Sequence, residues 1–184
     1  MTRRQSNLVL GLAFILALFG VTAAILAVRF LTPPQVDTLI ASSDRQTAAI
    51  SMPTLAGSTF SSTACKGHVL LVNYFATWCP PCVAEMPDLV KIAADYQPKG
   101  LVVAGVSVDA PNGDREKLLR GFVADHALTY PILLPGPGSP VYDTDMTIPQ
   151  TFLIDKQGRT AYHLTGELDA HELRPLIDRL IAEP

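Results

Sequence analysis

The chain has 184 residues, enough for one domain with accessory segments and too few for two ordinary domains. Acidic residues outnumber basic ones by 17 to 14, and the sequence has no basic stripe with interleaved aromatic residues, which argues against a nucleic-acid partner. Three cysteines are too few for a disulfide-stabilised scaffold of this size, so the fold must depend on an ordinary hydrophobic core.

The N-terminal segment is strongly apolar. Residues 8–28 contain no charge, and a helix of that length spans a hydrocarbon core of about 30 Å. Signal-peptide cores are usually only about 7–15 residues long, so a retained anchor is favoured, although small residues near the end of the run leave cleavage open. Arg3 and Arg4 precede the run and only Arg29 follows it closely, which predicts export of the remainder. We therefore assign residues 1–7 to a cytoplasmic N-terminus and residues 8–31 to a transmembrane anchor.

A linker and a short hairpin are predicted next. Residues 32–47 are rich in proline and polar side chains, as flexible tethers are, which leaves residues 48–184 for the folded domain. Within it, residues 50–55 and 59–60 flank an Ala-Gly-Ser turn and predict the hairpin.

Strands and helices alternate in the rest of the chain. Residues 69–75 and 101–108 are nearly continuous apolar runs, typical of strands buried on both faces. Helices are predicted from about Pro81 to Tyr96, from Asn112 or Asp114 to about His126, and from Asp169 to about Ala182. The second of these has Leu118, Leu119, Phe122 and Val123 on one face. A short extended piece at 130–134 and an antiparallel hairpin of 151–155 with 160–164 complete the predicted elements. This order predicts one α/β domain, a mixed sheet with helices on both faces.

Cys79 and Cys82 stand in the sequence WCPPC, between a predicted strand and a predicted helix. A zinc site usually needs two such pairs, and the lone Cys65 with four scattered histidines does not supply a second one. Haem attachment requires a histidine directly after the second cysteine, where Val83 stands. A purely structural disulfide between residues three apart removes little unfolded-state entropy. The pattern therefore favours a catalytic thiol pair, and no metal or cofactor is expected.

The position of the pair assigns a role to each cysteine. Cys79 begins the helix, where free N–H groups and the helix dipole favour a thiolate, so we expect it to be exposed and to attack. Cys82, one turn further, should be more buried and should resolve the mixed disulfide. The two intervening residues are prolines and carry no charge, so they add nothing to thiolate stability and indicate a reducing couple.

These residues resemble the thioredoxin superfamily, specifically the TlpA/ResA/CcmG group of membrane-anchored thiol–disulfide oxidoreductases. The matching stretches are 69–87, 101–109, 148–158 and the terminal helix, and the resemblance covers roughly residues 48–183. It implies a thioredoxin-like fold and a reductase of protein disulfides at the bacterial cytoplasmic membrane, with its catalytic domain facing the periplasm. In some relatives the client is apocytochrome c, and the implied electron donor is a transmembrane thiol reductase.

The resemblance also implies roles for residues around the cysteines. Trp78 matches the motif tryptophan that lines the substrate groove. Pro149 matches a cis-proline that faces the disulfide, and a cis bond would turn the backbone of Ile148 outward to pair with a substrate strand. Glu85 matches an acidic residue that exchanges a proton with Cys82, the alternative being a solvated carboxylate on the helix face. Asn73 stands where thioredoxin itself has a buried aspartate, which strengthens the interpretation of Glu85.

Some features depart from the group or stay open. Phe75 replaces a frequent tryptophan, and residues 142–148 lack the usual Val-x-Gly pattern before the proline, which bears on the shape of the substrate groove. Cys65 is interpreted as a small buried hydrophobic residue. The alternative functions are a thiol peroxidase, against which Ala76 counts because peroxiredoxins have Thr or Ser there, and a metal-binding or metallochaperone module. An oxidase using the same residues is a third.

Overall fold

The computed structural model describes residues 39–143 and 146–184. The predicted cytoplasmic N-terminus, the predicted anchor and the first part of the predicted linker, residues 32–38, lie outside the described residues. Across the two described ranges, no helix combines the length and the apolar character needed to cross a membrane.

The described residues form seven strands, four α-helices and two short 3₁₀ turns. The strands are β1 (Ser51–Pro53), β2 (Thr59–Ser61), β3 (Val69–Phe75), β4 (Leu101–Ser107), β5 (Ile132–Leu133), β6 (Gln150–Ile154) and β7 (Thr160–Thr165). The helices are α1 (Pro80–Tyr96), α2 (Arg115–Asp125), α3 (Pro140–Asp143) and α4 (Ala170–Ala182), and the 3₁₀ turns are Ser62–Cys65 and Gln97–Lys99. Each predicted strand, hairpin and long helix is confirmed to within a few residues at its ends.

The central sheet has five strands in the order β5-β4-β3-β6-β7. Strands β3, β4 and β5 are parallel, whereas β6 and β7 run antiparallel to their neighbours. Strand β3 is central and almost wholly buried, which explains its continuous apolar sequence. The predicted mixed sheet is confirmed, and β1 and β2 pair antiparallel in a separate hairpin.

Alternate residues of β3 point to two separate hydrophobic clusters. Leu71 and Phe75 pack in the larger cluster with buried side chains of α1, α2 and α4. Leu70 and Val72 pack in the smaller cluster, which the β1–β2 hairpin and the Ser62–Cys65 turn cover. In the described part of the chain no residue of α1, α2 or α4 belongs to this second cluster. The three long helices therefore lie on one face of the sheet. The prediction of helices on both faces is wrong for these helices, since the β1–β2 hairpin covers the other face.

Helix α1 begins at the active-site motif. Pro80 and Pro81 occupy its first two positions, where a missing N–H costs nothing and a fixed φ favours the helix. The helix continues through Pro87. Its buried side is a stripe at helical spacing: Cys82, Glu85, Met86, Leu89, Ile92 and Tyr96.

Helices α2 and α4 follow the predictions with one correction. Asp114 precedes α2, and Leu119 and Phe122 are buried as predicted, but Leu118 is 51% exposed. It lies at the edge of the buried stripe, because neighbouring positions on a helix are turned by about 100°, which directs this side chain away from Leu119. In α4, the Asp169 side chain accepts a hydrogen bond from the His171 N–H at 2.7 Å, which confirms the predicted N-cap.

Residues 39–47, the described part of the predicted linker, are hydrogen-bonded to the domain along β7 and the turn before it. The Ile40 N–H donates to Ala161 O, and the Thr160 N–H donates to Gln46 O, both at 2.8 Å. These contacts extend the ordered domain in front of residue 48.

A buried ion network fastens the same segment. Arg45 Nη1 lies 3.1 Å from Asp155 Oδ2, and its Nη2 donates to Glu183 Oε1 at 2.8 Å. Asp155 is also paired with Arg159 at 2.8 Å. Burial works to raise the pKa of Asp155, but the hydrogen bonds from Arg159 and Arg45 outweigh it and lower that pKa.

Candidate active site

Cys79 and Cys82 form a disulfide at the start of α1, with Cα atoms 5.3 Å apart. Cys79 is the N-cap residue, and the Cys82 N–H points at its sulfur at 3.3 Å. After reduction, that N–H and the helix dipole would stabilise a thiolate on Cys79. Cys82 is completely buried and Cys79 is only 4% exposed. The predicted order of burial is confirmed, but the prediction that Cys79 is exposed is wrong for the oxidised pair, since neighbouring residues cover it.

Trp78 is 67% exposed, directly before the disulfide. It borders an open groove of about 890 Å³, whose other wall is α2. Leu118 and Lys117 contribute to that wall. The exposed Leu118, which the sequence analysis had placed with the core, thus joins Trp78 and Phe122 as an apolar side chain of the groove.

The Ile148–Pro149 peptide bond is cis, as predicted. Pro149 is buried, and its carbonyl accepts a hydrogen bond from the Gly166 N–H at 2.9 Å. Gln150, the next residue, pairs with Tyr74 near the end of β3. Pro149 therefore lies at the same end of the sheet as the loop that carries the cysteines.

Glu85 is 2% exposed and lies one helical turn beyond Cys82, so the solvated carboxylate considered as the alternative is excluded. Asn73 Nδ2 donates to Glu85 Oε1 at 2.6 Å, and the Leu168 N–H donates to Oε2 at 3.2 Å. Burial raises the pKa of Glu85 from 4.5 to about 7; the two hydrogen bonds oppose the rise and the charge of Glu167 adds to it. Its part in proton transfer stays a prediction.

Two further polar side chains complete this buried group. Asn73 Nδ2 is 3.3 Å from Thr151 Oγ1, and both residues are at most 1% exposed. Asn73 Oδ1 has no hydrogen-bond partner within the described residues. A buried acceptor without a partner costs about 1–3 kcal/mol, so this arrangement is retained against a penalty. We call Asn73, Glu85 and Thr151 the buried polar triad.

Tyr130 is a buried side chain near Glu85. Its hydroxyl contacts Met86 Sδ at 3.3 Å, next to Glu85 on α1. Burial raises the pKa of Tyr130, and the negative charge of Glu85 raises it further. The phenol therefore stays protonated when Glu85 ionises.

Asp109 anchors the loop that leads to the disulfide. It is 3% exposed and follows β4 by two residues. Its Oδ1 accepts hydrogen bonds from the Thr77 N–H at 3.2 Å and the Thr77 hydroxyl at 2.7 Å, and its Oδ2 accepts one from the Ser107 hydroxyl at 2.9 Å. Because Thr77 precedes Cys79 by two residues, these bonds fix the path of the backbone into the motif.

The family model described as the AhpC/TSA family matches residues 44–163. The chain belongs to the AhpC/TSA family. Its matched region contains both cysteines, the buried polar triad, Asp109 and the cis-proline.

Similarity to individual proteins narrows the position within the family. The chain is 33% identical over 134 residues to the thioredoxin-like protein YneN of Bacillus subtilis, covering 73% of this chain and 78% of that protein. It is 28% identical over 116 residues to the thiol-disulfide oxidoreductase ResA of Geobacillus thermodenitrificans, covering 62% of this chain and 64%, slightly less than two thirds, of that relative.

A solved structure gives the same assignment. The crystal structure of a thiol:disulfide interchange protein of the thioredoxin family from Chlorobium tepidum aligns with a TM-score of 0.66 at 25% identity, covering 77% of this chain and all of that one. The predicted relation to the thioredoxin superfamily and its ResA-like group is confirmed, and with it the class of activity, thiol–disulfide oxidoreduction. Membrane attachment, client and direction of electron flow stay predictions for this AhpC/TSA member.

Cys65 and the carboxylates of the domain form no metal site among the described residues. Cys65 is half-buried, not buried as expected; its thiol contacts Ser61 O at 3.7 Å, and burial raises its pKa. Among the described residues, no group of three or more His, Cys, Asp or Glu side chains could hold a metal ion. Sequence reasoning missed Thr151, Leu168 and Asp109. Of these, only Asp109 had a local signal, a carboxylate directly beyond a buried strand.

Proposed function

We propose that this AhpC/TSA-family chain reduces disulfides in exported proteins, with Cys79 as the attacking thiol, Cys82 as the resolving thiol and Glu85 as the proton-transfer group. The observation that carries the proposal is the pairing of a disulfide at a helix N-terminus with a buried carboxyl one turn away whose pKa is about 7. A carboxyl of that pKa can accept and return a proton near neutral pH, which an ordinary glutamate does poorly.

The reaction has two exchange steps. The Cys79 thiolate attacks one sulfur of the client disulfide, forming a mixed disulfide and releasing the other client sulfur as a thiolate, which takes a proton from water. Glu85 then accepts the proton of the Cys82 thiol. The Cys82 thiolate attacks Cys79, closes the disulfide seen in the structure and releases the second client thiolate. Two electrons pass from the cysteine pair to the client.

The surroundings of the disulfide support binding of an extended client segment. Trp78 and the groove beside it offer apolar contact. The backbone of Ile148, before the cis-proline Pro149, is at the same end of the sheet and can pair with a client strand. Both roles come from the family resemblance and agree with these positions.

The proposed location is the outer side of the bacterial cytoplasmic membrane, in the periplasm, with residues 8–31 as a single-pass anchor. The apolar run and the basic residues before it support this orientation. In that compartment the electrons would come from a transmembrane thiol reductase. The proposed clients are oxidised protein thiols, among them apocytochrome c.

Trapping the mixed disulfide tests the proposal. Cys82→Ser removes only the resolving step, so client proteins should accumulate on Cys79 in cells, and mass spectrometry of the adducts names them. Cys79→Ser removes the attack and should trap few proteins. The full chain is used, with Cys65→Ser in every version so that the third thiol contributes no adducts.

The two variants also decide among the alternatives. If Cys79→Ser trapped clients and Cys82→Ser did not, the two roles would be reversed. If neither trapped a protein, the reductase would be rejected; copper or zinc binding by the reduced chain would then favour the metal-binding module, and peroxide consumption the peroxidase.

A further inference from the structure

The buried polar triad has one feature that the proposed chemistry does not explain. Asn73 presents its amide nitrogen to both Glu85 and Thr151, whereas its amide oxygen has no partner within the described residues. Asn73 is 1% exposed, so bulk water does not reach that oxygen. An amide that serves only as a donor leaves half of its hydrogen-bonding capacity unused.

The contact between Asn73 and Glu85 suits either protonation state of the carboxyl. At 2.6 Å it is as short as a hydrogen bond with an ionised partner or an O–H donor. An ionised Glu85 needs a donor, which is Nδ2. A protonated Glu85 carries an O–H and needs an acceptor, which rotation of the amide by half a turn about the Cβ–Cγ bond would supply as Oδ1.

Thr151 can follow the same change. Its hydroxyl is both a donor and an acceptor and rotates freely. It accepts from Nδ2 in the structure, at 3.3 Å, and can donate to Oδ1 once the amide has turned. In both arrangements one end of the amide serves Glu85 and Thr151 together, and the other end is unpaired.

We propose that Asn73 is a positioning residue that holds Glu85 in both of its protonation states, by turning its amide when the carboxyl gains or loses a proton. Glu85 thus keeps its place one turn from Cys82 throughout a catalytic cycle. The inference rests on the proposed role of Glu85. It adds that the adaptable partner is an uncharged amide with a donor end and an acceptor end, which an apolar residue at position 73 could not replace.

Other groups that face Glu85 do not perform this task. The Leu168 N–H can only donate, and Glu167, from the same loop before α4, contributes only charge. Tyr130 faces it from the loop before β5, and its hydroxyl is directed to Met86. On α1 itself, Cys82 and Asp88 each lie three positions from Glu85; Cys82 is joined to Cys79 in the oxidised form, and Asp88 pairs with Lys91 at the surface.

A double-mutant cycle in the oxidised full chain tests the inference. Asn73→Leu and Glu85→Met remove the two partners while keeping approximate size, and denaturant stability is measured on either side of the Glu85 pKa, at about pH 5 and about pH 9. We expect Asn73→Leu to lower the unfolding midpoint more in wild type than in the Glu85→Met background, at both pH values. If this excess were present at pH 9 and absent at pH 5, the amide would pair only with the carboxylate, and the proposal would fail.

Nuclear magnetic resonance of the unmutated oxidised chain provides a second measurement that needs no folded variant. At high pH one Asn73 Hδ2 proton should be shifted downfield by its bond to the carboxylate. On acidification this shift should disappear with the same midpoint as the Glu85 Cδ resonance, because Nδ2 has turned away. An Hδ2 resonance that did not respond while Glu85 titrated would rule out the rotation.

These outcomes are separate from those of the proposed function. Trapping on Cys79 reports thiol exchange and does not depend on Asn73. A chain that trapped clients but showed no amide rotation would refute only this inference, and one with rotation but no trapping would refute only the reductase.

Discussion

Leu168 and Glu85 are 83 residues apart in the sequence, and the Leu168 N–H donates to Glu85 Oε2 at 3.2 Å. Leu168 directly precedes Asp169, the N-cap residue of α4. The contact therefore joins the start of the terminal helix to the carboxyl on the helix that begins with the cysteines. It also lowers the pKa of Glu85 against the opposing effect of burial.

Replacing this carboxyl should change the pH dependence of thiol exchange. Glu85→Gln keeps the shape of the side chain but cannot accept a proton, so resolution by Cys82 should slow by about 100-fold or more near neutral pH. The measurement is the rate of disulfide reduction by the full chain, with dithiothreitol as electron source, from pH 5 to 9.

The matched control for that experiment is Glu116→Gln. Glu116 is an exposed carboxylate on α2, paired with Arg120. This variant should keep the wild-type pH profile. Equal profiles for wild type and Glu85→Gln would remove Glu85 from the reaction.

Glu85 should also affect how stability depends on pH. Between about pH 4.5 and 7 the folded chain keeps a proton on Glu85 that the unfolded chain has released. The stabilisation that comes from this retained proton is therefore fully present below pH 4.5 and is lost as the pH rises through 7. The free energy of unfolding falls by about 3 kcal/mol in total over this range. Relative to wild type, Glu85→Gln should gain about that amount between pH 4.5 and 8 in denaturant titrations. A constant difference between the two proteins would mean that Glu85 has an ordinary pKa.

The network around Arg45 should stabilise the domain measurably. Among the described residues, Arg45→Met leaves Arg159 as the one ion-pair partner of the buried Asp155, which we expect to cost about 2–4 kcal/mol of unfolding free energy. Lys91→Met, which breaks an exposed pair with Asp88, should cost less than about 1 kcal/mol. Similar small losses for both variants would show that residues 39–47 are not fastened by this network.

The Cys79–Cys82 couple should be reducing. The two prolines between the cysteines add no positive charge that would stabilise the thiolate, so we expect a potential at or below about −200 mV, nearer to thioredoxin than to DsbA. Equilibration of the full chain with dithiothreitol or glutathione buffers measures it. A value near −120 mV would indicate an oxidase.

Much of the fold could be predicted because the strands and helices have strong local patterns. The apolar run of β3 predicted a central buried strand, and Asp169 predicted the start of α4. Residues 39–47 were different, since their mostly polar composition does not reveal that Arg45 pairs with residues more than a hundred positions away.

In the candidate site, too, some features could be predicted from local sequence, whereas others depend on residues that are distant in the chain. The WCPPC motif and the cis-proline follow from local sequence and resemblance. The depth of Glu85 and the nearly complete burial of Cys79 depend on neighbours that are distant in the sequence, such as Leu168. Helical periodicity placed Leu118 with the core residues of α2 because it is apolar, although the groove leaves it exposed.

Strand β6 joins several of these features within a few residues. Pro149 precedes it, Thr151 pairs with Asn73 across the sheet, and Asp155 follows its last residue. Thr151 and Asp155 are four positions apart, so the alternation of the strand directs both to the same side. A single residue inserted or deleted between them would turn Asp155 and the residues after it to the other side. The spacing from Pro149 to Asp155 is therefore fixed, and changes in chain length can be accommodated only outside it, as in the turn around Gly158.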